Sequence, residues 1–533
     1  MEVNVVYDVF LSYRRESSSE FASFLHLELK RMGYEVFFDA KCLRAGKFKT
    51  CIDQAIEQCT FFLLLLAPGD LNRSISNPEE DWIIHESQKA LENGKVIIPI
   101  SIKGNFTFPE NSNIDTIDAL KDINICDMSG TDAASLVETR LLSYMNDHPA
   151  KKLANAYNQG IVSPEYLEWE LETLKGIYSD IQFVSVFGRE YPAYTIQGSE
   201  SVQYPFSSLT NSDNLFPIEK TLEYEKTPYY NEFKKIVGPN VHFPNLYGYT
   251  NSGYKFDVNG KICGIISTPR TYKETVYTCH ILHYELWAAY QKTRGERLAT
   301  LDDLPIRKSI HEGKSNLEVI LTGCNRSALN DVNIAVIDYN ERTQEYCVAT
   351  ATRTENVATY PGYFGFVPSG GFELYELEEN QSQSVIQENF NVLGALFREY
   401  IEELFGDCGF GKATGDDDLN RLYRNNKIRE LQKGVKKGAY KFEFLGVDFN
   451  LITLRQTLSF VLRIDDENFF YDNEIKKNEE NIFVKFEPLK NFEDRIIKEQ
   501  IPVMEETAST YFLLKKNHLY TEIVDNDFKL VHF

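Results

Sequence analysis

This chain is short of positive charge, of paired cysteines and of long apolar runs, and each shortage argues against a class of function. Across 533 residues, 56 Lys and Arg face 79 Asp and Glu, a formal net charge of −23. A chain this acidic is repelled by nucleic-acid backbones and anionic membrane surfaces, so neither is expected as a direct partner. No apolar run reaches the roughly 18 residues a membrane helix needs. The opening residues MEVNVVYDVF carry Glu2 and lack a basic n-region, which argues against a signal peptide. The nine cysteines stand at 42, 51, 59, 126, 263, 279, 324, 347 and 408, with no CxxC spacing. That scatter reads as reduced thiols in a cytoplasm, not as a disulfide framework or a zinc site. What the chain does have is length. A single core rarely grows beyond roughly 250–300 residues, so two or three domains are expected.

Up to about residue 145, strand and helix signals alternate. Val5–Leu11 reads as a buried strand, and Phe21, Leu25 and Leu29 with Phe24 recur at helical spacing up to Gly33. There follow a strand at Tyr34–Phe38, a helix around Cys51–Cys59 and the apolar strand Phe61–Ala67. A polar loop spans Asp70–Glu80, a helix covers about 80–92, and a strand at Val96–Ile100 is ended by Pro99. This alternation predicts a flavodoxin-like α/β domain, a parallel sheet with helices on both faces and ligands beyond the carboxyl ends of its strands.

The residues YDVFLSYRR, GYEVFFD, the LRAG loop at 43–46 and DWIIHES fall in the order and spacing of a TIR domain, which this segment resembles along its whole length. Some TIR domains are scaffolds; others cleave the nicotinamide–ribose bond of NAD⁺. In the catalytic kind a glutamate follows an aromatic residue by four positions, and Trp82 and Glu86 match that pair. An i, i+4 spacing places both on one helix face. The resemblance implies that Glu86 is catalytic and that Ser12, Tyr13, Arg14, Asp39 and Trp82 border the NAD⁺ pocket. Arg14 would suit phosphate, and the 40–48 loop would form a movable wall. Without the resemblance, Glu86 reads more readily as a solvated helix residue and Arg14 as a surface charge.

A connector-like stretch, NDHPAKKLANAYNQGIVSPEY, places a boundary near 150. The following region, to about 310, resembles nothing recognisable. Tyr166–Ile177 and Ile281–Tyr290 read as helices, 195–260 is rich in Tyr, Asn, Ser, Pro and Gly, and α+β structure is expected. Farther on, Leu317–Thr322, Val332–Tyr339 and Tyr346–Ala351 read as strands, followed later by Phe442–Phe449 and Leu458–Ile464.

Between these strands lie GYFGFVPSGGFELYE and LFREYIEELFGD. Glu399 and Glu403 are i, i+4 with Glu402 beside them. Like charges at that spacing destabilise a helix unless a cation such as Mg²⁺ sits there, although an acidic solvated helix end is the plainer alternative. Gly370, Glu376, Arg398, Glu399, Glu402 and Glu403 resemble the Nudix box. Twenty-one residues separate Glu376 from Arg398, a longer spacer than the family has, and the closing glycine is Gly406, one position late. From Arg421 to Lys441, eight cations face the single acid Glu430, a local +7 that suits a phosphate-bearing ligand or simply a solvated helix.

The resulting expectation has three parts: a TIR domain at 1–148, an unassigned middle region at 149–310 and an α/β Nudix-like domain at 311–533. Its function would be NAD⁺ cleavage as an antiviral effector, triggered when the C-terminal domain binds a nucleotide-type ligand and the TIR domains self-associate. A Nudix domain that still hydrolyses nucleoside diphosphates is one alternative, and under either reading Mg²⁺ is a candidate ligand of Glu399, Glu402 and Glu403. A TIR domain that only recruits partners is another alternative.

Overall fold

A computed structural model describes residues 7–31, 34, 36–38, 48–76, 78, 81–104, 106–109, 112, 114–130, 133–142, 145, 156–217, 221–237, 247–340, 343–353, 362–373, 383–406, 417–465 and 481–524. The chain forms two compact units. One comprises residues 1–159 with 231–242, the other 160–230 with 243–533.

The first unit is built on β1 (Val9–Ser12), β2 (Val36–Phe37), β3 (Phe61–Leu66), β4 (Val96–Ser101) and β5 (Cys126–Asp127), parallel and ordered β2-β1-β3-β4-β5. Helices α1 (Arg15–Arg31), α2 (Phe48–Gln58), α3 (Asp70–Ser76), α4 (Trp82–Glu92) and α5 (Asp115–Lys121) intervene. Both sheet faces are covered, which is why β3 reads FFLLLL without alternation. Val9, Leu11, Leu63 and Leu65 pack with Leu25 and Leu29 of α1 on one face. Phe10, Phe62, Leu64 and Leu66 pack with Ile52, Ile56, Ile83 and Ile84 on the other. This is the TIR-like α/β architecture, a flavodoxin-like parallel sheet.

Two local expectations change. Pro99 does not end its strand: β4 runs on to Ser101, with Pro99 opposite Leu64. The Val96 amide bonds to the Thr60 carbonyl just before β3 and the Ile102 amide to Leu66 at its end, so Pro99 faces the other side, where pairing with β5 starts only at Ile100. Its missing N–H therefore interrupts no ladder. The 70–80 loop is also partly helical, because Asp70 stabilises the start of α3: its carboxylate accepts the Ala67 amide at 2.8 Å and the Ser17 hydroxyl. Residues 1–6, Gly33, Asp39 and nearly all of the 40–48 loop lie outside the described residues.

The second unit holds β6 (Val184–Val186), β7 (Arg189–Tyr191), β8 (Ala193–Gln197), the hairpin β9 (Tyr247–Phe256) and β10 (Ile262–Thr271), and then β11 (Asn330–Asn340), β12 (Glu345–Arg353), β13 (Phe364–Phe366), β14 (Ser369–Gly371), β15 (Tyr440–Asn450), β16 (Gln456–Ile464) and β17 (Asn481–Pro488). Its eight-stranded mixed sheet runs β13-β12-β11-β16-β15-β8, with β14 on β11 and β17 on β12. Strand β8 thus extends a sheet made otherwise of residues beyond 330. Gly446 permits this pairing, since a Cβ there would lie 2.2 Å from the Ile196 carbonyl oxygen. Two fully buried arginines add to the join. Arg307 donates to the Tyr178 hydroxyl and to the Leu451 and Ile452 carbonyls, and Arg326 to the Leu454 and Val319 carbonyls.

Leu317–Thr322 is a correction. The segment is the helix Asn316–Leu321, not a strand, because Ser315 and Glu318 form a capping box that outweighs its β-prone residues. The helices Pro164–Ile177 and Ile281–Thr293 lie where periodicity placed them. Among the described residues no helix is long and apolar enough to cross a membrane.

Candidate functional site

The site of the first unit lies at the carboxyl ends of β1 and β3. Ser12 is the last residue of β1, and its hydroxyl donates to Glu86 Oε2 at 2.6 Å. Both are buried, Glu86 at 8% exposure. A carboxylate in that setting is fixed in place and largely withdrawn from water, unlike one on a solvated helix face. Trp82, one turn earlier on α4, is 41% exposed and meets the His85 ring edge-on with centroids 5.5 Å apart. His85 in turn contacts Asp53 of α2 at 2.8 Å. A fixed carboxylate and an accessible aromatic face are thereby held on one stretch of helix.

Arg14 has a role that its residue type alone does not reveal. Its guanidinium donates to the Asp70 carbonyl at 3.1 Å, to the Ser74 hydroxyl at 2.8 Å and to Asp81 Oδ2 at 2.5 Å. Asp81 is also the N-cap of α4, its Oδ1 accepting the Ile83 amide at 2.9 Å. One carboxylate therefore ties the start of the Glu86 helix to the residue two places after Ser12. Tyr13 stacks on Phe38, with centroids 5.5 Å apart. Sequence reasoning missed Asp81 and Ser74. The Asp before a helix start was a usable cap signal, but a link across 67 residues has none.

A separate cleft of about 240 Å³ lies between Pro68, Gly69, Leu71 and Asn72 on one side and Phe106–Pro109 on the other. Among the described residues its lining presents no carboxylate, imidazole or thiol.

In the second unit, the helix Val392–Phe405 carries Glu399, Glu402 and Glu403 and is ended by Gly406 in the left-handed conformation. Glu399 accepts from Arg398 Nη2 at 2.6 Å, and Glu403 accepts the Ser369 amide at 2.8 Å. Arg398 also holds the Gly371 carbonyl. A Cβ at Gly370 would fall 2.2 Å from the Glu399 carboxyl carbon, so a larger residue there would push that side chain aside. Glu376 lies outside the described residues. Among the described residues no group of three Asp, Glu, His or Cys is placed to hold a metal ion. Glu399 and Glu403 are thus both engaged by protein donors, and a cation at this helix would have to displace the Arg398 bond. Of the cationic stretch, Arg421 and Arg424 end the helix Asp417–Arg424 and Lys441 lies in β15, while the helix Asn426–Lys437 turns Ile428 and Leu431 inward and Arg429, Lys433, Lys436 and Lys437 outward.

Residues 9–140 match the TIR domain family. Over 104 residues the chain is 41% identical to NAD(+) hydrolase sarm1 of Drosophila melanogaster, covering 19% of this chain and 8% of that protein. The chain thus spans only a small part of that curated relative's length. The crystal structure of the TIR domain of the Toll-related receptor TRR-2 from Hydra magnipapillata overlaps 26% of this chain and 99% of its own, at 20% identity and a TM-score of 0.21. A NUDIX hydrolase from Alicyclobacillus acidocaldarius overlaps 39% of this chain and 99% of its own, at 11% identity and a TM-score of 0.22. Scores at this level bear on the function of neither unit.

Proposed function

We propose that the first unit cleaves the bond between nicotinamide and ribose in NAD⁺. The observation that carries the reading is the buried hydrogen bond from Ser12 to Glu86 at the strand ends, in a segment similar to an NAD⁺ hydrolase. When the bond breaks, its electron pair leaves with nicotinamide and positive charge develops on the ribose carbon. The Glu86 carboxylate, pre-positioned by Ser12, stabilises that charge without having to reorganise. Water then adds to the carbon and loses a proton, giving ADP-ribose. Trp82 offers a flat apolar face to a ring of the substrate.

In the fuller reading, the protein is a cytoplasmic antiviral effector. Its Nudix-like second unit binds a nucleotide-type signal, the TIR units self-associate, and NAD⁺ is depleted. Such a protein is idle at rest, because an unregulated NADase would kill its own cell. A second reading, hydrolysis of a nucleoside diphosphate by the second unit, is favoured by the placement of Gly370 under the Glu399 carboxylate. It requires Glu399 to leave Arg398 before a metal can bind.

The test is NAD⁺ consumption by the purified full chain, with extract of infected cells as the activator, followed by chromatography. Glu86→Ala is expected to reduce the rate about a hundredfold or more while the fold persists. A parental rate from the activated variant would refute the assignment.

A further inference from the structure

The helix Glu505–Lys515 covers one face of the eight-stranded sheet. Its second half is conventional, with Tyr511, Leu513 and Leu514 joining Ala335, Ile337 and Val461 in an apolar core. Its first half, with Glu505, Glu506, Ser509 and Thr510, is polar. Strand register shows what lies beneath it. Asp331, Thr457 and Asp448 form one row across β11, β16 and β15, and Asn333, Ser459 and Gly446 form the next. Residues aligned in this way share a sheet face. The Ser459 and Thr510 hydroxyl oxygens lie 2.9 Å apart, which identifies that face as the covered one.

Unpaired polar groups gather in this layer. Among the described residues, neither amide atom of Asn333 has a hydrogen-bond partner, nor do Asp448 Oδ1, Ser509 Oγ and Glu505 Oε2. Asn333 and Ser509 are 0% exposed and Asp448 1%. Native interiors rarely orphan such groups, and several in one layer point to a molecule that pairs them. Ser459, beside Asn333 in its row, contributes only a short side chain, its hydroxyl against Thr510. The layer opens at one end, where Asp331 is 23% and Arg455 16% exposed.

The charges restrict what can enter. Burial pushes the Asp448 carboxyl well above its usual range and raises Glu505 to about 8. Arg455 pairs with Asp331 at 2.5 Å. With these acids neutral or matched, the layer offers hydrogen bonds and, among the described residues, no free cation for a phosphate. Asn333 presents a donor and an acceptor side by side, the pattern that pairs with an amide or amidine edge.

We propose that this layer is a binding site for a neutral, planar molecule with adjacent hydrogen-bond donor and acceptor, as on adenine or a carboxamide, anchored by Asn333. The proposal deepens the reading of the second unit as a sensor, and it is tested by binding alone, apart from NAD⁺ turnover. Titration calorimetry on the full chain uses adenosine and nicotinamide as probes. The controls are an adenosine with both amino hydrogens replaced by methyl groups, and nicotinic acid. One probe is expected to bind, and its control about tenfold or more weakly. Adenosine binding marks a nucleotide base as the source of the edge; nicotinamide binding marks the product proposed for the first unit. Asn333→Leu is expected to abolish binding and to raise the heat-unfolding midpoint of the unliganded chain, because two orphaned atoms disappear. Ser509→Ala, a substitution any helix tolerates, is expected to weaken binding severalfold without unfolding risk. If neither probe binds at millimolar concentration, the layer holds ordered water only and the proposal fails. It fails equally if binding survives both substitutions.

Discussion

Replacing Asp81 with alanine removes two interactions that together hold the Glu86 helix against the end of β1. The first is the α4 cap, the 2.9 Å bond from the Ile83 amide to Asp81 Oδ1. Losing such a cap costs about 1 kcal/mol. The second is the 2.5 Å ion pair with Arg14, whose partners are 7% and 18% exposed and so largely shielded from solvent. A charge-assisted bond of that kind is worth roughly 1.5–3 kcal/mol. Arg14 retains Ser74 and the Asp70 carbonyl, which limits the loss, and the sum is about 2–4 kcal/mol of local stability. Asp81→Ser retains a capping oxygen and is expected to lose about 1 kcal/mol less. Hydrogen exchange of the full chain, resolved by mass spectrometry to peptides of α4, measures the opening free energy directly. Protection of residues 82–92 within about 0.5 kcal/mol of the parent would refute the role given to Asp81. Kinetics supply an independent check. If Arg14 acts by positioning, Asp81→Ala lowers kcat with KM nearly unchanged; if it holds substrate phosphate, freeing it alters KM.

Ser12→Ala removes the hydroxyl that orients Glu86, and NAD⁺ cleavage is expected to fall about tenfold to a hundredfold, read as kcat by chromatography. Arg307→Met orphans three buried acceptors and is expected to destabilise the second unit by about 3 kcal/mol or more, measured by urea unfolding. Burial raises Glu505 to about 8, so the folded chain keeps a proton that the unfolded chain loses above about 4.3; this contribution to stability falls as pH rises from about 5 to 8, by up to about 1.4 kcal/mol per unit. Glu505→Gln should flatten that part of the melting-temperature profile, and an unchanged slope counts against the buried acid. Glu402→Gln combined with Glu403→Gln separates the two readings of the second unit. A sensor variant leaves NAD⁺ intact after activation, whereas a hydrolase variant still consumes NAD⁺ but loses an AMP peak present in the parent.

Much of the first unit was legible because its signals are local or dense. Phe61–Leu66 is apolar without interruption, as only a doubly covered strand is, and Glu86 follows Trp82 by one helical turn. The structure then placed Ser12 against Glu86, a pairing no spacing reveals. The misread elements share one cause. By residue type Pro99 reads as a strand end and Leu317–Thr322 as a strand, and in both places hydrogen bonding decides otherwise. Pro99 is tolerated by the direction its backbone faces, and Ser315 with Glu318 converts a β-prone run into a helix.

The second unit was harder to read for a different reason. Strand β8 pairs with β15 across some 250 residues of sequence, and the pairing depends on Gly446, one glycine in an otherwise ordinary strand. Asn333 looks in sequence like one polar residue between Val332 and Ile334, as a half-exposed strand would carry. Only the register, which sets it beside Ser459 under the helix Glu505–Lys515, turns it into a fully buried amide with no partner among the described residues. Polar residues in a strand ordinarily mark its solvent face. Here a helix covers that face, so the same alternation that would signal water signals a buried polar layer, and the feature most informative about ligand binding is one that composition and periodicity assign to the surface.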